Sequence, residues 1–253
     1  MSASIALSLE GLGVDFGGLR AVDNVDLSVA ARERRGVIGP NGAGKTTLFN
    51  LISGWVKPTG GTVRLLGEDV TDLPSWELAK KGLTRTFQRT QLCASLSVAD
   101  NVELSVQAQQ KRFNGMWRSV SRLSTIRAEA HQVLEDLGLA QYASQPAGVL
   151  SYGVQRQIEV AMAAATKPTV LLLDEPTSGL SPAETHEVAA FLGRLPEEMT
   201  LLIVEHDMDV LFGIADRVLV MDQGLVLADG TPEEIRADES VRKAYMGDMD
   251  QTS

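Results

Sequence analysis

Apolar and polar positions along the chain follow two alternating rhythms. Short runs rich in Val, Ile and Leu recur between stretches whose apolar residues return every three or four positions. That alternation predicts an α/β fold around a largely parallel sheet. The clearest predicted strands are "RGVIGP" (35–40), "TVLLLDE" (169–175) and "TLLIVEHD" (200–207). The last two are apolar on both faces, as strands buried in a parallel sheet are. The first 35 residues instead alternate, in "IALSLEGLGVDF" and "AVDNVDLSVA", and predict an antiparallel sheet with one exposed face. "DRVLVMDQGLVLADG" (216–230) predicts a hairpin turning at Gln223-Gly224.

Between about Gln91 and Thr166 the strand signals stop and helical patterns take over. "IRAEAHQVLEDLGL" puts Ile126, Ala130, Val133, Leu134 and Leu137 on one face and reaches a C-cap at Gly138. The predicted division is an α/β core with its antiparallel β-subdomain over 1–90 and 167–235, an inserted helical subdomain over 91–166, and a C-terminal helix and tail over 236–253. There is no repeat and no low-complexity tract.

Composition narrows the function. The 253 residues are 44% hydrophobic and 22% charged, the range of an ordinary globular chain. A net charge of −10 and a pI of about 4.8 argue against nucleic acid as a partner. Cys93 is the single cysteine, so no internal disulfide can form and a reducing compartment is expected. "MSASIALSLEGLGVDF" has neither a basic start nor an unbroken apolar core, and no run approaches the ~18 apolar residues that cross a bilayer. Any membrane role is therefore expected to come through a partner.

The candidate chemistry lies where strands end. Gly39, Pro40, Asn41, Gly42, Ala43, Gly44, Lys45, Thr46 and Thr47 read "GPNGAGKTT", between the strand "RGVI" and the helix "KTTLFNLIS". This is the context in which G-x-x-x-x-G-K-[ST] holds a phosphate chain on backbone N–H groups and a helix N-terminus. Lys45 is placed to reach the β- and γ-oxygens and Thr46 to ligate Mg²⁺. Asp174 ends a buried strand, where a carboxylate can bind the metal directly or through water, and Glu175 follows it, where it can polarise an attacking water. His206 ends the next strand and can contact the γ-phosphate or orient water. Gln88, in "RTFQRT", stands where core gives way to the helical segment and is placed to sense Mg²⁺ and nucleotide. In "LSYGVQRQIEVAMAAA", Ser151 caps a helix with Val154, Ile158, Ala161, Met162 and Ala165 on one face. Gly153 leaves the start of that helix open to a second phosphate chain, one held by another subunit.

In order and spacing, Gly39–Thr46, Gln88, Leu150–Gln155, Leu171–Pro176 and His206 resemble the ATP-binding subunits of ABC transporters, over nearly the whole chain. "RTFQ", Tyr152 in the signature, Glu159, "VEHDM", "GIADRV" and the tail "ADGTPEEIRADESVRKAYMG" resemble the subgroup that serves branched-chain amino acid importers. The resemblance implies a P-loop (RecA-like) ATPase core with an N-terminal antiparallel β-subdomain and an inserted helical subdomain. It implies ATP and Mg²⁺ as ligands, with Thr46, Gln88 and Asp174 around the metal. It further implies a head-to-tail pair of subunits, each holding ATP between its phosphate loop and the partner's Ser151, Tyr152 and Gly153. Glu175 would be the catalytic base, His206 the switch residue and Phe16 the aromatic stacked on adenine. Transmembrane permease subunits, an extracytoplasmic solute-binding protein and a second ATP-binding subunit would be the partners, at the cytoplasmic face of the membrane. A groove beside Gln88 and "TQLCASLSVADNV" would receive a short helix of each permease. Two positions depart from the family pattern: Val154 stands where a glutamine is usual, and Ser181 where an aspartate is common. The competing readings are a soluble ABC ATPase without a transport role, an exporter subunit, and a P-loop kinase or GTPase switch. The last leaves "LSYGV" and His206 unexplained.

Overall fold

The computed structural model describes residues 4–86, 92–109 and 120–249. The chain divides into two compact units. The first comprises residues 1–85, 169–175 and 197–253, and the second residues 86–168 and 176–196.

The first unit holds two sheets. Strands β1 (Ile5–Phe16) and β2 (Leu19–Ala30) form a long antiparallel hairpin. Val25, Leu27 and Val29 of β2 alternate inward as the sequence predicts, while Val22 is also buried but out of phase with them, across Asn24 at φ 48°. β1 does not alternate cleanly, since Ala6 and Leu7 are both buried. Its register against β2 shifts several times, and each shift re-aims the side chains that follow. After β3 (Arg34–Ile38) and helix α1 (Lys45–Ile52), strands β4 (Gly60–Leu65) and β5 (Glu68–Asp69) complete the first sheet in the order β2-β1-β4-β5.

Helix α2 (Ser75–Lys81) leads into β6 (Leu83–Arg85). The second unit then supplies α3 (Val98–Gln109), α4 (Val120–Asp136), two short 3-10 turns, α5 (Tyr152–Ala165) and, after β7 (Val170–Asp174), α6 (Pro182–Gly193). The chain ends in β8 (Thr200–Val204), α7 (Met208–Phe212), β9 (Arg217–Asp222), β10 (Leu225–Gly230), α8 (Pro232–Ala237) and α9 (Glu239–Met249). The second sheet runs β10-β9-β3-β8-β7-β6. It is parallel from β6 to β9, and β10 is antiparallel at the edge. Every residue of β7 and β8 is buried, which is why both read as unbroken apolar runs. The hairpin turns at Gln223 and Gly224, whose φ angles of 49° and 83° are those of a tight type I′ turn.

In the second unit α4 buries Ile126, Ala130 and Leu134, Leu137 just beyond its end is buried too, and Val133 is half-buried. Gly138 follows with φ 72°, the left-handed conformation of a helix end. Helix α5 is buried more widely than the one predicted face, with Arg156, Gln157, Val160, Ala163 and Ala164 covered as well. It packs against α3, α4 and α6, and beyond Tyr152 its residues are buried or half-buried. The buried Arg156 guanidinium is neutralised by Glu159 at 2.8 Å. Among the described residues no helix is long and apolar enough to cross a membrane.

Candidate functional site

The phosphate loop follows β3 directly, because β3 lies between β8 and β9 and its C-terminal end opens on the middle of the sheet edge. Two glycines there are dictated by backbone neighbours. A Cβ on Gly39 would sit 2.2 Å from the Met221 carbonyl oxygen, and one on Gly44 would sit 2.5 Å from that of Ala21. The loop is stitched to its surroundings by backbone bonds. The Gly224 N–H donates to the Ala43 carbonyl at 3.0 Å, and the Asp23 N–H donates to the Gly224 carbonyl at 2.9 Å. Lys45 opens α1 with its side chain folded back, its ammonium donating to the carbonyls of Gly39 and of Pro40 (3.0 Å). An ammonium held on loop carbonyls is already close to where phosphate oxygens lie when such a loop is filled.

Asn41–Thr47 form one wall of an open cleft of about 540 Å³. Leu19, Arg20 and Ala21 of the β1–β2 hairpin, the Gln223-Gly224 turn and Glu175 form the rest. Thr46 and Thr47 are both in this wall, so the loop, its lysine, its threonines and Glu175 converge on one space. Phe16 ends β1 half-exposed and is not among the lining residues; the hairpin contributes Leu19, Arg20 and Ala21 instead. Gln88 lies outside the described residues.

Asp174 and Glu175 leave β7 together and diverge. Glu175 adopts φ 47°, and its N–H donates to the Val204 carbonyl at 3.0 Å. A left-handed conformation in a non-glycine residue at a strand end is uncommon, and here the bond to β8 holds it. Asp174 turns inward and is 3% exposed. Its Oδ2 accepts from the Arg85 guanidinium at 2.7 Å, while its Oδ1 is buried without a hydrogen-bond partner. His206, beyond β8, is 60% exposed along its side chain. Its N–H donates to the neighbouring Glu205 carboxylate at 3.3 Å, and Glu205 is fully buried.

The donor set fits Mg²⁺. The ion is satisfied by one or two protein oxygens together with phosphate and water oxygens. The orphaned Asp174 oxygen and the Thr46 hydroxyl are such donors. Among the described residues no group of three or more His, Cys, Asp or Glu side chains could hold a metal, so a cation here would lean on the nucleotide's own oxygens.

In the second unit Ser151 caps α5, its hydroxyl accepting from the Val154 N–H at 3.4 Å. Tyr152 is exposed, with Arg156 lying 5.2 Å over its ring. Gly153 is buried, and its N–H donates to Glu184 Oε1 at 3.2 Å. Glu184 also closes the capping box of α6, its Oε2 accepting from the Ser181 hydroxyl at 2.7 Å and from the Ser181 N–H at 3.1 Å. The Ser181 hydroxyl, with the two N–H groups, holds the Glu184 carboxyl below its usual range. Gln155 uses its side-chain amide on the Leu150 carbonyl, and Val154 is buried.

Four features escaped the reading of the sequence. These are Arg85, Glu184, the cleft wall at Leu19–Ala21, and Tyr245 of α9. Only the first had a signal, since "RTFQ" stands out in the sequence without showing what its arginine does. Tyr245 brings a buried hydroxyl up to the Gly39 N–H without closing a hydrogen bond, and burial pushes its ionisation well above the usual phenol range.

Two family models match the chain: ABC transporter over residues 22–178, and Branched-chain amino acid ATP-binding cassette transporter over residues 226–251. The chain is 41% identical to the high-affinity branched-chain amino acid transport ATP-binding protein BraF of Pseudomonas aeruginosa, over 96% of this chain and 98% of that one. It is 42% identical to the protein of the same description, LivG, of Escherichia coli K12, again over 96% of this chain and 98% of the other. A crystal structure of the ADP conformation of an ATP-binding cassette of an ABC transporter superposes with a TM-score of 0.82 at 28% identity, covering 96% of this chain and 99% of that one.

Proposed function

Since the chain belongs to the ATP-binding subunits of ABC transporters, we propose that it drives an importer of branched-chain or related amino acids. The observation that carries this is the pairing of a phosphate-loop cleft with a tail, residues 226–251, that matches the branched-chain amino acid subgroup. The chain is an ATPase subunit of a membrane transporter. The finer roles follow from chemistry.

ATP lies along Asn41–Thr47 with Lys45 leaving the loop carbonyls for the β- and γ-oxygens. Thr46 and Asp174 would hold Mg²⁺, which would supply charge neutralisation for the phosphates; Gln88, the third residue given to this ion, lies outside the described residues. Glu175, on its fixed backbone, accepts the proton of the water that attacks the γ-phosphorus. His206, exposed beside a buried carboxylate, bonds the γ-phosphate and reports its loss. Phe16, half-exposed at the end of β1, is the aromatic that would stack on adenine.

Two such subunits close head-to-tail when both carry ATP. Ser151, Tyr152 and Gly153 of each one meet the γ-phosphate bound by the other, so the nucleotide becomes a ligand common to both. Hydrolysis and phosphate loss remove that ligand and the pair opens. The helical unit passes this motion to transmembrane permease subunits at the cytoplasmic face. An extracytoplasmic binding protein delivers the solute. The net charge of −10 argues against nucleic acid as a partner.

The test is a pull-down of tagged Glu175→Gln protein from detergent-solubilised membranes with ATP and Mg²⁺ present. The variant should bind ATP, turn over on the order of 10²–10³ more slowly, and bring down two polytopic proteins and an ATPase partner. A variant that hydrolyses ATP at the wild-type rate refutes the base, and an eluate of soluble proteins alone refutes the transport role.

A further inference from the structure

Among the described residues Asp174 is held by one cation, Arg85, and that cation is itself held elsewhere. Arg85 ends β6, paired across the sheet with Leu172 of β7, two residues before Asp174. Its guanidinium donates to Asp174 Oδ2 at 2.7 Å, to Asn50 Oδ1 at 2.7 Å and to Ser53 Oγ at 2.9 Å. The side chains of Arg85 and Asp174 are 7% and 2% exposed, and the guanidinium carbon lies 5.8 Å from the centre of the Phe49 ring. Phe49 and Asn50 belong to α1, and Ser53 follows it. Its planar fork thus spans β7 and α1, the helix whose first turn carries Lys45 and Thr46.

Resting on the nucleotide-site reading above, we propose that Arg85 is a positioning residue for the divalent cation of ATP. A carboxylate at a strand end is free to turn about its own side-chain bonds. Bonding one oxygen to a guanidinium fixed on α1 removes that freedom and leaves Oδ1 for the metal or its water. The same tie sets the separation of Asp174 from Thr46, because both are then referred to α1. Neutralisation alone would need only a positive charge. The bonds to Asn50 and Ser53 add direction, which a planar, multiply donating group supplies better than an ammonium on a flexible stem.

The experiment measures equilibrium binding of a fluorescent ATP analogue in Mg²⁺ and, separately, in EDTA. The ratio of the two affinities is the contribution of the cation. Arg85→Gln should keep its EDTA affinity within about twofold of wild type, the phosphate loop being untouched. It should lose at least tenfold of the Mg²⁺ gain, about 1.4 kcal/mol. Arg85→Lys should recover part of the gain. Asn50→Ala keeps both charges and removes only the anchor, so it should lower the gain at least threefold and stand in for Arg85→Gln if that variant does not fold. An unchanged gain in either variant, or an equal fall with and without Mg²⁺, overturns the positioning role. Asp174→Asn sets the floor: should it keep the full gain, or should wild type fail to bind the nucleotide, the reading of the site itself is wrong rather than that of Arg85.

Discussion

Gly153→Ala separates the packing of the second unit from its work at a partner's nucleotide. A Cβ at this position meets Glu184 Cβ and Cγ at 3.0 Å and Oε1 at 3.3 Å. Glu184 Cγ and Oε1 can turn aside, but Cβ is fixed to the α6 backbone, so α5 and α6 must also part by a few tenths of an ångström. The Gly153 N–H···Glu184 bond loosens in exchange. Against this stands the helical preference of alanine over glycine, at most ~1 kcal/mol in the interior of a helix and less in its first turn. The two effects nearly cancel, leaving a net change below about 1 kcal/mol, and for a chain of this size 1 kcal/mol moves Tm by roughly 2–4 °C. Closure is another matter, because the displaced Glu184 carboxylate and the loosened Gly153 N–H lie at the start of α5, where the partner's γ-phosphate is proposed to approach. The expected result is a melting temperature within about 4 °C of wild type and a fall in kcat of at least tenfold, or about 1.4 kcal/mol in barrier. Calorimetry and a steady-state ATPase assay on the same preparation suffice. Hydrolysis at the wild-type rate would refute the placement of Gly153 at a second phosphate, and a drop in Tm of more than about 8 °C would refute the packing argument.

Two further expectations concern the first unit. Lys45→Ala removes the ammonium from the loop, so ATP should no longer raise the melting temperature as binding to the native state must; a wild-type thermal shift would contradict the role given to Lys45. Tyr245 ionises in the unfolded chain near pH 10 and in the native state only well above it, because of burial. The native state therefore binds more protons in that window and stability falls as pH rises through it. The Tyr245→Phe protein should show a flatter decline above pH 10, and an identical slope would place the phenol in solvent.

The sheet was legible because central parallel strands are buried on both faces, and so β7 and β8 announce themselves as apolar runs. The phosphate loop was legible because its chemistry is local: strand, glycines, lysine and helix follow one another within a dozen residues. What stayed hidden depends on register between distant segments. Nothing in "LTRTFQ" shows that β6 pairs with β7, and without that pairing Arg85 has no visible acid. The bond from Gly153 to Glu184 joins two helices separated by a strand, and Ser181 reads as a lost aspartate until its hydroxyl is seen anchoring the carboxylate of Glu184. Helix α5 misled for a related reason, since its polar residues Arg156 and Gln157 mark a solvent face in a helix pattern but are buried here.

The position of β3 has a bearing on how the chain is made. Gly36 pairs with Ile203 on one side and Val218 on the other, so the strand that carries the phosphate loop has both of its neighbours in the last fifth or so of the chain. A ribosome that has delivered "GPNGAGKTT" has delivered a loop with no sheet to stand on. Closing so long an intervening stretch is the slow part of acquiring such a topology. Until then the nascent chain has the residues of a nucleotide site without their geometry, and capture of ATP becomes a late event that reports completion of the whole sheet.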